Sequence, residues 1–183
     1  MRVLGIDPGS NYLGLGCVEG KGNALTWIGH EVVKVAEGKD LSLSARFRAI
    51  HAGVSAAIRE WQPQVVAVEE VFFAKNPKSA LKLGQARGAA LLLPALEGLE
   101  IFEYSATVVK QTITGSGRAE KEQVQHMVKA LLRGGCKNPL EFQRADASDA
   151  LAIAICHLQH RHRHALVSAK QAEKNLGGSS LRR

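Results

Sequence analysis

The chain has 183 residues, 45% apolar and 22% charged, which is the composition of an ordinary globular protein with material for a real core. A domain of about 150 residues buries roughly 68–70% of its unfolded surface, so no metal or disulfide staple is needed and two full-size domains are not expected. The net charge is +7, but residues 160–183 hold six Lys or Arg against one Glu, so the body is nearly balanced. Any nucleic-acid affinity must therefore come from local basic patches or from the tail.

In chain order, Val3–Asp7 and Leu13–Val18 read as two strands joined by the turn residues Pro8, Gly9, Ser10 and Asn11. Leu25–Val35 is a third strand, partly alternating. Apolar residues at Leu43, Phe47, Ile50, Val54, Ala57, Ile58 and Trp61 recur at spacings of three and four, an amphipathic helix stopped by Pro63. Val65–Val68 is apolar throughout and should be a buried strand parallel to the first. Ser79–Leu93 reads as a helix carrying Gly84, Gly88, Ala89 and Ala90, a small-residue face for the sheet or for a partner subunit. Ile101–Tyr104 is a short strand, and helices are expected at Ala106–Ile113, Glu120–Leu132 and Asp146–His160. From His160 onward the chain turns polar and basic and reads as a disordered tail, giving domains 1–159 and 160–183. The order βββαβαβααα is that of an α/β layered fold.

The longest apolar run, Ala89–Leu96, is far short of the roughly 20 residues that span a bilayer. Asp7 interrupts the stretch a signal peptide would keep apolar, so neither membrane insertion nor secretion is expected. Cys17, Cys136 and Cys156 are odd in number and lack paired spacing, which fits a reducing cytoplasm.

Acids stand where α/β sheets place their chemistry. Asp7 ends the first strand, and Glu69 and Glu70 end the fourth. Asp146 and Asp149 are three apart at the start of the last helix and so share a face. Each alone has an ordinary role: a turn residue, a solvated edge, a helix cap. Together they could converge into an oxygen-rich cluster suited to Mg²⁺ or Mn²⁺, the two-ion arrangement that hydrolyses phosphodiesters. Lys75, Lys78, Lys82 and Arg87 follow the Glu69 strand, while Lys110, Arg118 and Lys121 flank Thr114-Gly115-Ser116-Gly117, a candidate phosphate seat. The alternating His and Arg of residues 160–164 oppose a bound cation and read as solvated or facing nucleic acid.

Four segments carry a resemblance: Asp7-Pro8-Gly9-Ser10, Glu69 through Asn76, Ser79 through Gly88, and Asp146 through Ala152. With Phe102-Glu103-Tyr104, Val109 through Thr112 and Ala119 through Val128, they are similar to the RuvC family of bacterial Holliday-junction resolvases. The resemblance covers about residues 1–158. It implies a ribonuclease-H-like mixed five-stranded sheet flanked by helices, a homodimer, and metal-dependent nicking of four-way DNA junctions in recombination and repair. It also implies two Mg²⁺ ions held by Asp7, Glu69, Asp146 and Asp149, and a branch-migration helicase complex, RuvA and RuvB, as partner. Lys110 and Lys121 match basic positions near the scissile phosphate, and Phe72 an aromatic that stacks on a junction base. Glu70 is not assigned to the metal. A sugar kinase or actin-like ATPase also begins with Asp-x-Gly-Ser, but needs two domains around a nucleotide. A non-catalytic binder on this fold would lack one of the acids, and all four are here.

Overall fold

The computed structural model describes residues 1–35, 42–70, 76–135 and 140–177, with side chains as far as His162. Five strands form one sheet: β1 (Arg2–Pro8), β2 (Tyr12–Lys21), β3 (Ala24–Lys34), β4 (Val65–Glu69) and β5 (Glu100–Tyr104), in the order β3-β2-β1-β4-β5. β2 pairs antiparallel with β1 and β3, while β4 is parallel to both β1 and β5. The sheet is therefore mixed and five-stranded.

β1 and β4 are central and buried on both faces, and the period of two sorts their side chains. Leu4, Ile6, Val66 and Val68 join one core with α1 (Leu43–Trp61) and α2 (Pro77–Leu96). Val3, Val65 and Ala67 join the other, with α3 (Ala106–Thr114), α4 (Lys121–Leu132) and α5 (Ala145–Gly177). Asp7 and Glu69 keep the parity of Val3 and Val65, so both carboxylates lie on the α5 side, at the carboxyl ends of their strands.

α5 crosses β1 and β2 where the sheet offers glycine. A Cβ on Gly5 would strike the Ala150 carbonyl oxygen, and one on Gly14 the Asp146 carbonyl oxygen. Only residues without a side chain let the helix backbone come this close. That proximity sets the first turn of α5 above Asp7, whose register partner is Gly14.

Strand and helix positions follow the sequence reading to within a few residues, with two differences. α2 begins at Pro77, capped by the Asn76 side chain, and passes through Pro94 to Leu96. α5 does not stop at His160, where the sequence reading ends the last helix, but continues to Gly177. The polar composition was misleading: Ala, Leu, Lys, Gln and Glu favour helix, and no proline intervenes before Gly177 and Gly178. Nor are the histidines simply solvated. His157 is buried against Phe102 and bonds the Tyr104 hydroxyl at 2.9 Å, and His160 meets Thr112 Oγ1 at 3.1 Å. Cys17 and Cys156 are buried cysteines, Cys156 donating from Sγ to Thr112 Oγ1 at 3.6 Å, and among the described residues no helix is long and apolar enough to cross a membrane.

Candidate active site

Three elements bring the four acids to one place: β1 supplies Asp7, β4 supplies Glu69, and the first two turns of α5 supply Asp146 and Asp149. Electrostatics records their proximity. Burial pushes the Asp7 carboxyl up from 3.8 to about 7; Asp149, Glu69 and Asp146 push the same way, and Lys121 opposes them. Burial also raises Glu69, Asp149 adding to it against Lys110 and Lys121. Asp149 is raised by burial although the Lys121 ammonium holds it at 2.7 Å.

Lys110 of α3 and Lys121, first residue of α4, line a small cleft of about 180 Å³ together with Glu69, Asp149, Val109 and Val124. The second helical acid, Asp146, is also ion-paired, its Oδ2 lying 3.1 Å from Arg144 Nε. Both α5 carboxylates are thus turned to cations, and among the described residues no three acids close into a ligating set. The donor set nonetheless fits hard divalent cations. Four carboxylates from three elements gather hard oxygen donors at one place, and burial, reinforced by Asp149, Glu69 and Asp146, raises the Asp7 carboxyl to about 7.

The other expected residues divide. Lys78 and Lys82 are exposed on the first two turns of α2, and Arg118 is exposed before α4. Arg87 is ion-paired to Glu103 of β5, Nη2 to Oε2 at 2.6 Å. Phe72 and Lys75 lie outside the described residues, as does Phe73. Glu70 is exposed, and its N–H continues the β4–β5 pairing by donating to the Tyr104 carbonyl. The loop Thr114–Gly117 does not offer the free amides expected of a phosphate seat. Its Ser116 N–H donates to Thr114 Oγ1 and its Gly117 N–H to Gln111 Oε1.

Two positioning groups escaped the sequence reading. Arg46 of α1 is buried and donates from Nη2 to the Ser10 carbonyl at 3.0 Å, fixing the turn that follows Asp7. Arg144 stacks on the Tyr12 ring, its Cζ 3.5 Å from the centroid. A buried arginine on a helix face was the available signal for the first. The second had none, since 132 positions separate it from Tyr12.

A mixed sheet of this order, with acids at the ends of its two central strands and on the helix crossing them, is the ribonuclease-H-like nuclease architecture. Residues 3–157 match the family described as crossover junction endodeoxyribonuclease RuvC, and the chain belongs to that family. The relative from Stutzerimonas stutzeri, bearing that description, is 48% identical over 172 residues, 92% of this chain and 94% of the relative. The one from Citrifermentans bemidjiense is 50% identical over 157 residues, covering 86% and 92%. A solved structure of T. thermophilus RuvC in complex with Holliday junction substrate superposes with a TM-score of 0.79 at 37% identity, covering 90% of this chain and 96% of that one. The yeast mitochondrial Holliday junction resolvase shares the fold, with a TM-score of 0.66 at 18% identity, covering 92% of this chain and 83% of that one.

Proposed function

We propose that this chain is a crossover junction endodeoxyribonuclease that resolves four-way DNA junctions by paired, divalent-metal-dependent nicks during recombination and repair. One observation carries the reading: in a RuvC-family chain, four carboxylates from β1, β4 and α5 share one strand-end site with Lys110 and Lys121. Asp7, Glu69, Asp146 and Asp149 would hold two Mg²⁺ ions, with Mn²⁺ as a substitute. Bound divalent cations supply the charge stabilisation and water activation of in-line phosphodiester hydrolysis.

The chain's own groups do the rest. β1 and β4 fix Asp7 and Glu69 on rigid central strands, while α5, seated on Gly5 and Gly14, fixes the other two acids against them. Lys110 and Lys121 stand on the cleft side, where they counter the charge of the strand being cut. Lys78, Lys82, Arg87 and Arg118 would contact further phosphates; for Lys75 and Phe72, outside the described residues, the family resemblance supports a phosphate contact and stacking on a base at the crossover. A four-way junction needs two symmetric cuts, which calls for a twofold dimer.

The α2 surface supports that dimer. Leu81, Leu92 and Leu96 are 65%, 60% and 75% exposed, and Gly84 and Gly88 on the same stripe meet nothing within 4 Å. Ala86 and Ala90 face the sheet instead, so the small-residue segment divides between core and open face. A second copy packing on this stripe would cover the leucines and place two sites on one particle. The branch-migration complex and a cytoplasmic setting complete the proposal, the latter supported by an odd number of cysteines without paired spacing.

The test is a synthetic four-way junction with Mg²⁺ and no ATP, cut by wild type and by Asp7→Asn. Wild type should give symmetric nicks and the variant none, both binding the junction in Ca²⁺. Equal nicking by the two would remove Asp7 from the site, and no preference of wild type for the junction over linear duplex would overturn the reading.

A further inference from the structure

Arg144 immediately precedes α5, and its guanidinium is held in two ways. One face lies on the Tyr12 ring at 3.5 Å, while Nε donates to Asp146 Oδ2 at 3.1 Å. Tyr12 opens β2 directly after the turn that follows Asp7, so the stack joins two segments flanking that acid. The side chain is 46% exposed, which leaves its outer edge open to solvent and to a ligand.

Stacking uses the face of the guanidinium, and its N–H donors all lie in the plane. The ring can therefore retain Arg144 while the donors exchange one anion for another. The planar fork suits a carboxylate and a phosphate equally well. Asp146 cannot serve Arg144 and a divalent cation with the same oxygen, and a pair this exposed is weak enough to exchange. Glu31 and Glu141 line a groove together with Tyr12 and Arg144 and disfavour an anion seated there.

We propose that Arg144 is a two-position cation and an unassigned DNA contact of this site. It neutralises Asp146 while the site is empty and moves to a phosphate of the bound strand when that carboxylate turns inward, with Tyr12 as its seat throughout. The inference rests on the nuclease reading above, which names the bound strand.

Two measurements without turnover test it, and they should move in opposite directions. In DNA-free protein, Arg144→Gln removes a competitor for Asp146, so calorimetric Ca²⁺ affinity should rise about two- to fivefold, the range of an exposed ion pair. Junction binding in Ca²⁺ should weaken, and its log–log salt slope should become shallower by about 0.9, one phosphate contact. Arg144→Lys, which keeps the charge, should restore most of that slope. If Arg144→Gln does not fold, Tyr12→Leu keeps the charge, removes the seat and should weaken junction binding likewise. Unchanged or weaker Ca²⁺ affinity, or an unchanged salt slope, would overturn the proposal. Wild type failing to prefer the junction would instead overturn the nuclease reading.

Discussion

Replacing Asp7 by asparagine should abolish nicking and, without metal, make the protein more stable. Burial and three neighbouring carboxylates raise the Asp7 carboxyl to about 7, so the native state holds a proton that the unfolded chain has released. Between about pH 4 and about pH 7 the native state binds more protons than the unfolded, and stability falls as pH rises. Above that window the deficit stays constant. From 3.8 to about 7, at about 1.36 kcal/mol per pH unit, it amounts to up to about 4 kcal/mol. Asparagine has the same shape without the charge and should recover much of this. At about 2–4 °C per kcal/mol for a chain of this length, the expected rise in Tm is several degrees at about pH 8. His157 titrates in an overlapping window with the opposite sign. Its pKa is lowered to about 4 by burial, with Arg161 and His160 adding, so it contributes increasing stability from about pH 4 to about pH 6.5. The difference between wild type and variant cancels that contribution. The assay is a series of thermal melts in EDTA across this range, paired with junction nicking in Mg²⁺. A variant melting at or below wild type at about pH 8, or a difference that does not grow between about pH 4 and about pH 7, would refute the reasoning.

The same proton should be visible in metal uptake. Calorimetry of Ca²⁺ binding in buffers of differing ionisation enthalpy should give more protons released at about pH 6 than at about pH 8, and equal release would remove the raised carboxyl. Gly14→Ala should lower stability by about 1–3 kcal/mol, because its Cβ strikes the Asp146 backbone. Urea melts and nicking should both show the displaced first turn of α5. His157→Phe removes the His157 contribution, so the variant's urea midpoint minus that of wild type should fall between about pH 4 and about pH 6.5 and level off above, with Tyr104 left without that partner. Leu92→Glu, on the open α2 stripe, should yield a folded monomer by sedimentation equilibrium, whereas a dimer of unchanged strength would move the interface elsewhere.

The sheet was legible because alternation and turn chemistry are local. Pro8 to Asn11 and the apolar run of Val65–Val68 announce a hairpin and a buried strand without help from the rest of the chain. The acids were legible only as candidates, since Asp146 and Asp149 would look the same if they merely capped a helix. The missing part was the packing between distant segments. Gly5 and Gly14 read as ordinary strand glycines until the Ala150 and Asp146 carbonyls sit on them. The helix beyond His160 was missed for a different reason. Its polar sequence promises no core, yet a segment growing from an already buried helix has no nucleation cost to meet, and propensity suffices.

The charge balance at the strand ends explains why the site needs its cations as much as its acids. Asp7, Glu69, Asp146 and Asp149 would together repel any DNA strand. Lys121 and Arg144 each hold one of the helical acids, and Lys110 faces Glu69 and Asp149 across the cleft. Burial, helped by the neighbouring carboxylates, raises the Asp7 carboxyl to about 7, which reduces the negative charge that Lys110, Lys121 and Arg144 have to balance. A phosphodiester gains little from a site so close to neutral. Capturing one requires positive charge beyond the acids' own balance, and freeing the basic side chains from those acids supplies part of it. On the proposed reading, the residues that neutralise the empty cluster would be the ones to hold the substrate once the cluster is filled.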